Sequence, residues 1–117
     1  MVEDEALIAM DLQSILEDAG FSVLGPIGTI ANAFGFLERS APDLALLDVN
    51  LGGVDVFALA DALASRDIKI IFLTGHSVRR LPERHRHRTL VSKPFLPGTV
   101  VEAIRLELAE GGEGAAV

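Results

Sequence analysis

Residues 44–53 read Leu44-Ala45-Leu46-Leu47-Asp48-Val49-Asn50-Leu51-Gly52-Gly53, four apolar residues running straight into a carboxylate and on to a pair of glycines. A continuous apolar run bounded by turn signals predicts a strand buried on both faces, as in parallel sheets covered by helices. The carboxylate stands where that strand ends. In open α/β sheets, ligands and chemistry collect at the carboxyl ends of the strands, which places Asp48 for function. An ionised Asp is rarely buried without a partner, so a cation or hydrogen-bond donors are expected beside it. The competing reading is an Asp that merely caps the following turn.

The flanking sequence alternates helix and strand signals. Met1-Val2 supplies only the last residues of a strand, with Glu3 and Asp4 at its carboxyl end. Ile8, Leu12, Ile15 and Ala19 recur at intervals of three and four, predicting a helix from about Glu5 to Ala19 that Gly20 closes. Phe21 to Gly25 reads as a strand stopped by Gly25-Pro26, and Thr29 is a good N-cap for a helix through Ala31, Phe34 and Leu37 to about Ser40. After Gly52-Gly53 a third helix runs from about Asp55 to Ser65. Ile68 to Leu73 is a second doubly buried strand, ending at Thr74-Gly75, and Thr89 to Ser92 is a short one leading to Lys93-Pro94. Pro82 marks the start of a short helix between them. The last helix carries Pro97 in its first turn and buries Val101, Ile104 and Leu108. The expected organisation is one domain over residues 1–110 and a loose tail over 111–117. Its class is α/β with a parallel sheet.

Composition narrows the function. Half of the 117 residues are hydrophobic, which excludes disorder, yet no apolar run approaches the roughly 18 residues of a membrane span. The acidic opening Met1-Val2-Glu3-Asp4-Glu5 is unlike a secretory signal. Without cysteine there is neither a disulfide nor a thiolate metal site, and a cytoplasmic location is expected. A net charge of −7 argues against general nucleic-acid affinity. The charge is unevenly spread: from His76 to Lys93 there are six Arg and Lys against the single anion Glu83. All three histidines, His76, His85 and His87, fall in that segment without metal-site spacing, and a solvated surface competes there with a docking face.

The candidate residues share one edge. Glu3 and Asp4 follow the first strand, Asp48 the third, Thr74 the fourth and Lys93 the fifth, so three carboxylates, a hydroxyl and an ammonium converge. Clustered carboxylates repel unless a cation sits among them, and a few hard oxygen ligands favour Mg²⁺ together with a phosphate. Lys93 and Thr74 suit phosphoryl oxygens, and a carboxylate beside a divalent cation is a competent phosphoryl acceptor.

On Glu3-Asp4, Leu47-Asp48, Leu73-Thr74-Gly75 and Lys93-Pro94-Phe95, in this order and at these strand ends, the chain resembles a response-regulator receiver domain of two-component signalling. The resemblance implies a flavodoxin-like five-stranded parallel sheet of order 2-1-3-4-5 with helices on both faces. It implies Asp48 as phosphoacceptor, and Mg²⁺ held by Asp4, Asp48 and the backbone carbonyl of Asn50, with Glu3 acting through water. Thr74 and Lys93 would read the phosphoryl group. The implied partners are a histidine kinase or phosphotransfer protein and an unknown output protein, with neither nucleic acid nor membrane, and homodimerisation stays open. No separate substrate would be turned over, so the chain is not expected to be an enzyme.

Two features depart from the pattern. A first strand of two residues would leave a slot between its neighbours, to be filled by omitted residues, shifted pairing, another chain or swapping. Family members commonly carry an aromatic residue three before the lysine, where this chain has Leu90. The run Phe72-Leu73-Thr74-Gly75-His76 instead resembles a Phe-Ala-Thr-Gly receiver subgroup, which would put His76 beside the site as a modulator. The departures motivate an alternative, a degenerate receiver serving as a dimerisation or docking module. A phosphohydrolase with an Asp nucleophile is a third reading, disfavoured because Asn50 stands where such enzymes carry a second Asp.

Overall fold

The computed structural model describes residues 1–51, 54–75, 81–108 and 114–117. The apolar run forms strand β1 (Leu44–Asp48), all five residues of which are buried. A short antiparallel pair follows, β2 (Asn50–Leu51) against β3 (Val54–Asp55). Strands β4 (Lys69–Thr74) and β5 (Thr89–Ser92) complete a parallel sheet of order β1-β4-β5, with Leu47 opposite Phe72 and Phe72 opposite Leu90. The helices are α1 (Ala6–Asp18), α2 (Ile30–Leu37), α3 (Phe57–Ala64) and α4 (Pro97–Leu108), and a single 3-10 turn covers Glu83–His85. Thr29 caps α2 as its sequence position predicts, its Oγ1 accepting from Asn32 N at 3.1 Å.

Because strand side chains alternate, the sheet has two apolar faces. Ala45, Leu47, Ile70 and Phe72 point to a cluster with Leu37 of α2 and Phe57, Leu59 and Leu63 of α3. Leu44, Leu46, Ile71 and Leu73 point the other way, to Leu12 and Leu16 of α1 and Val100 and Ile104 of α4. Burying each such side chain contributes roughly 2 kcal/mol, so β1 and β4 anchor both layers. Two helix faces differ by a residue from the pattern read in the sequence. In α4, Val100 is fully buried rather than Val101, and in α2, Ala33 and Leu37 point inward while Phe34 is exposed. Helix α2 is short and apolar around most of its circumference, which leaves its periodicity ambiguous, and in α4 the adjacent pair Val100-Val101 offers two neighbouring apolar positions to the same face.

The slot expected beside β1 is filled by the chain's own C-terminal residues. Asp43 N donates to Ala116 O at 2.8 Å, Val117 N to Ser22 O at 2.8 Å and Leu24 N to Val117 O at 2.8 Å. Further along, Val2 bridges Ile27 and Leu47, both parallel. Ala116 thus lies level with the start of β1 and Val2 level with Leu47, so 115–117 and Met1-Val2 lie head to tail in one extended line. The loose tail read from the sequence is corrected here for 114–117, since Val117 is completely buried. The physical reason is the row of backbone donors and acceptors on each side of the slot, which any short apolar extended segment satisfies.

Gly25 permits the approach of Met1 to this line. Its φ is +111°, and a Cβ there would lie 2.8 Å from Ile27 N and 3.0 Å from Met1 O. Gly25→Ala is therefore expected to cost about 1–3 kcal/mol, read as a lower urea midpoint at unchanged slope.

Candidate functional site

The site follows from register. Asp48, the last residue of β1, is opposite Leu73, and Thr74, the last of β4, is opposite Ser92, one residue before Lys93. Backbone bonds lock the edge: Lys93 N donates to Thr74 O at 2.7 Å, and Asp48 N to Val2 O at 3.0 Å. Glu3 N donates to Ile27 O at 3.0 Å as part of the parallel pairing of Val2 with Ile27. Glu3, Asp48 and Thr74 are buried, whereas Asp4 is exposed at the rim.

Lys93 organises the charges. Its Nζ lies 2.5 Å from Glu3 Oε1, 3.3 Å from Asp48 Oδ2 and 3.9 Å from Glu5 Oε1. Burial, reinforced by the hydrogen bond and charge of Asp48, pushes the Glu3 carboxyl up to about 7, and Lys93 opposes this only in part. Burial also disfavours the Lys93 ammonium, but bonding to Glu3 and the charge of Asp48 outweigh it and hold its pKa above the ordinary lysine range.

A divalent cation suits the remaining geometry. One carboxylate oxygen each of Glu3, Asp4 and Asp48 lies within 4.8 Å of the others, and Asp4 leaves the rim open to water. Oxygen ligands in small number with several retained waters match Mg²⁺, so the residues fit that ion. Beside the carboxylates, an open cleft of about 480 Å³ is lined by Glu5, Ile8, Asp11, Lys93, Pro94 and Phe95.

The fold therefore brings Glu3, Asp4, Asp48 and Lys93 together, with Thr74 at the adjacent strand end. The backbone of Asn50 belongs to β2, where it pairs with Asp55. Leu90 is 43% exposed on β5. His76 lies outside the described residues. One residue at the site was passed over in the sequence, and one away from it was misread. Glu5 is the N-cap residue of α1 and faces Lys93. His85, read as part of a basic surface, is buried, and its four-residue spacing from buried Leu81 was the available signal.

The raised Glu3 carboxyl has a pH signature. An acid whose pKa is about 7 folded and 4.5 unfolded binds an extra proton in the folded state between those values. Its contribution is complete below the lower value and is lost as pH rises through the upper one. The Met1 amine, lowered by burial to about 5, titrates in the opposite sense, so the informative quantity is the difference between parent and Glu3→Gln. In EDTA that difference is expected to move against the parent by up to about 3 kcal/mol between about pH 5 and pH 8, by urea unfolding. A flat difference would show Glu3 ionised throughout.

A parallel sheet between helices with an acidic cluster and a lysine at its carboxyl edge defines a class of signalling domain. Residues 1–105 match the response regulator receiver domain, and the chain belongs to that family. It is 35% identical over 113 residues to the transcriptional regulatory protein PdtaR of Mycobacterium tuberculosis, covering 93% of this chain and 55% of that protein. It is 36% identical over 108 residues to the phyllosphere-induced regulator PhyR of Methylorubrum extorquens, covering 89% of this chain and 40% of PhyR. The chain thus spans about half the length of the curated relatives it matches, or less. Among solved structures, SdrG of Sphingomonas melonis Fr1 superposes with a TM-score of 0.81 at 41% identity, covering 92% of both chains. A BeF3-activated conformation of SdrG superposes with a TM-score of 0.78. Among the described residues, no helix is long and apolar enough to cross a membrane.

Proposed function

We propose that this chain is the phosphoacceptor of a two-component phosphorelay, modified on Asp48 and signalling through altered protein contacts. The observation that carries the reading is the convergence of Glu3, Asp4 and Asp48 within 4.8 Å, with the Lys93 ammonium against two of them. Mg²⁺ would be held by Asp4, Asp48 and the Asn50 carbonyl, with Glu3 acting through water, and when bound it offsets the charge on the transferring phosphoryl oxygens. An Asp48 carboxylate oxygen attacks the phosphorus of a phosphohistidine or small phosphodonor, a P–O bond forms and the bond to the donor breaks. The Lys93 ammonium and the Thr74 hydroxyl then bind phosphoryl oxygens.

On this reading the extended lines 21–24 and 115–117 with Met1-Val2 are the second and first strands of a 2-1-3-4-5 sheet. The donor is a histidine kinase or phosphotransfer protein, the output is an unidentified protein, and nothing is turned over beyond the chain's own acyl phosphate. Leu90 replaces an aromatic coupling residue, and His76 would tune the phosphoryl lifetime. The activated conformation recorded for SdrG supports the reading by likeness.

Intact mass after incubation with acetyl phosphate and Mg²⁺ tests it. The parent is expected to gain one phosphoryl group, and Asp48→Asn or the parent in EDTA to gain none. No gain in a folded parent would turn the reading to a docking module that works without phosphorylation.

A further inference from the structure

His85 is a buried imidazole that the acidic site does not use. It is 2% exposed and lies in the apolar layer between α3 and β4. Its ring stacks on Phe57 at 6.1 Å between centroids and meets the edge of Phe72 at 5.8 Å. Its Nε2 donates to Asp61 Oδ1 at 2.7 Å, and Nδ1 is buried with no hydrogen-bond partner among the described residues. Phe57 and Asp61 are four apart on α3, so one helix face presents a ring and a carboxylate to the same imidazole. Arg84 clamps that carboxylate from outside, Nε to Oδ1 at 2.7 Å and Nη2 to Oδ2 at 3.0 Å, but its side chain is 56% exposed and the pair adds little by itself. Among the described residues, Leu81 and His85 are the buried side chains that hold residues 81–88 to the domain.

The pin touches the strand that carries Thr74. Phe72 and Thr74 are two apart on β4 and share the face turned toward α3, so a displacement of Thr74 is felt at the Phe72 edge. The residue opposite Phe72 on β5, Leu90, is 43% exposed and fills no such place. A ring held by one hydrogen bond and two edge or face contacts, with a bare nitrogen facing apolar surroundings, is a reversible plug. We infer that His85 is the latch through which loading of Asp48 is passed to residues 81–88: when Thr74 is drawn to the phosphoryl group, Phe72 shifts, the imidazole leaves its seat, and the arginine-bearing segment is freed to meet a partner. The coupling rests on Asp48 being the phosphoacceptor; the seat itself does not.

Amide hydrogen exchange of the full chain, with and without Mg²⁺ and beryllofluoride, tests both parts. In the parent, the amides of His85 and Arg88 are expected to exchange at least tenfold faster once the mimic is bound, and the His85 ring resonances to move. His85→Ala is expected to show that fast exchange without the mimic, while still binding it. Should His85→Ala not fold, Asp61→Ala, at a 46% exposed position, removes the acceptor of the Nε2 bond from the rim and must accelerate exchange in the same segment. Parent-like protection in the folded variant would overturn the latch, and an unmoved His85 ring in mimic-bound parent would overturn the coupling. A parent that binds no mimic would overturn the phosphoacceptor reading and the coupling with it, and the metal-free comparison of variants would still decide the latch.

Discussion

Lys93→Met is expected to lower the stability of the metal-free protein by about 3 kcal/mol near pH 8 and by much less near pH 5. The ammonium is the near neighbour of two buried carboxylates, 2.5 Å from Glu3 and 3.3 Å from Asp48, and its side chain is only 11% exposed. Methionine keeps most of the apolar stem, so the change isolates the charge from the packing. Near pH 8 the variant must either hold two uncompensated carboxylates side by side or bind a proton between them. Near pH 5 Glu3, whose carboxyl is already pushed up to about 7, carries that proton in the parent too, and the ammonium matters less. The proton also caps the loss, because without Lys93 the Glu3 carboxyl is pushed higher still. Excess Mg²⁺ should return most of the lost stability near pH 8, since a ligand that binds only the folded state stabilises by mass action. Urea unfolding at the two pH values, in EDTA and in Mg²⁺, gives the comparison. Equal losses at both pH values would assign the role of Lys93 to its stem rather than its charge.

The same contacts mark how far the sequence could be read. Asp48 and Thr74 are legible because each ends an apolar run short enough to be a strand, Lys93 because it follows the short strand signal Thr89 to Ser92, and parallel strands put their carboxyl ends on one edge. Glu3 and Asp4 are legible only as the residues that follow Met1-Val2, and their approach to Asp48 depends on Val2 bridging both Ile27 and Leu47. His85 was hidden by its neighbours, for a histidine among arginines reads as surface until Phe57, Asp61 and Phe72 are brought around it from two distant elements. The placing of Ala115-Ala116-Val117 was hidden for a different reason. Three small or branched residues after a glycine-rich stretch carry no periodicity, and their position is dictated by unpaired backbone more than seventy residues away in sequence.

Val117→Asp is for that reason the change expected to damage the fold most, by about 4 kcal/mol or to outright unfolding. Val117 is completely buried in the layer that holds Met1, Leu12, Leu16, Phe21, Leu44 and Leu46, and its backbone bonds Ser22 and Leu24 on one side. A carboxylate there meets apolar side chains, and the Met1 amine in the same layer is itself lowered by burial to about 5, so near neutral pH the carboxylate must either ionise unpaired or take a proton at a cost. Expelling the tail does not relieve the strain. Asp43 N and Leu44 N, which both donate to Ala116 O, would lose that acceptor, and the slot between β1 and residues 22–24 would open to water. Leu7→Asp on α1, at a position 83% exposed, introduces the same charge and should change stability by less than about 0.5 kcal/mol. Urea unfolding of the two variants beside the parent separates charge from place. If Val117→Asp were as harmless as Leu7→Asp, the seat of Val117 beside Ser22 and Leu24 would contribute nothing to the stability of the fold.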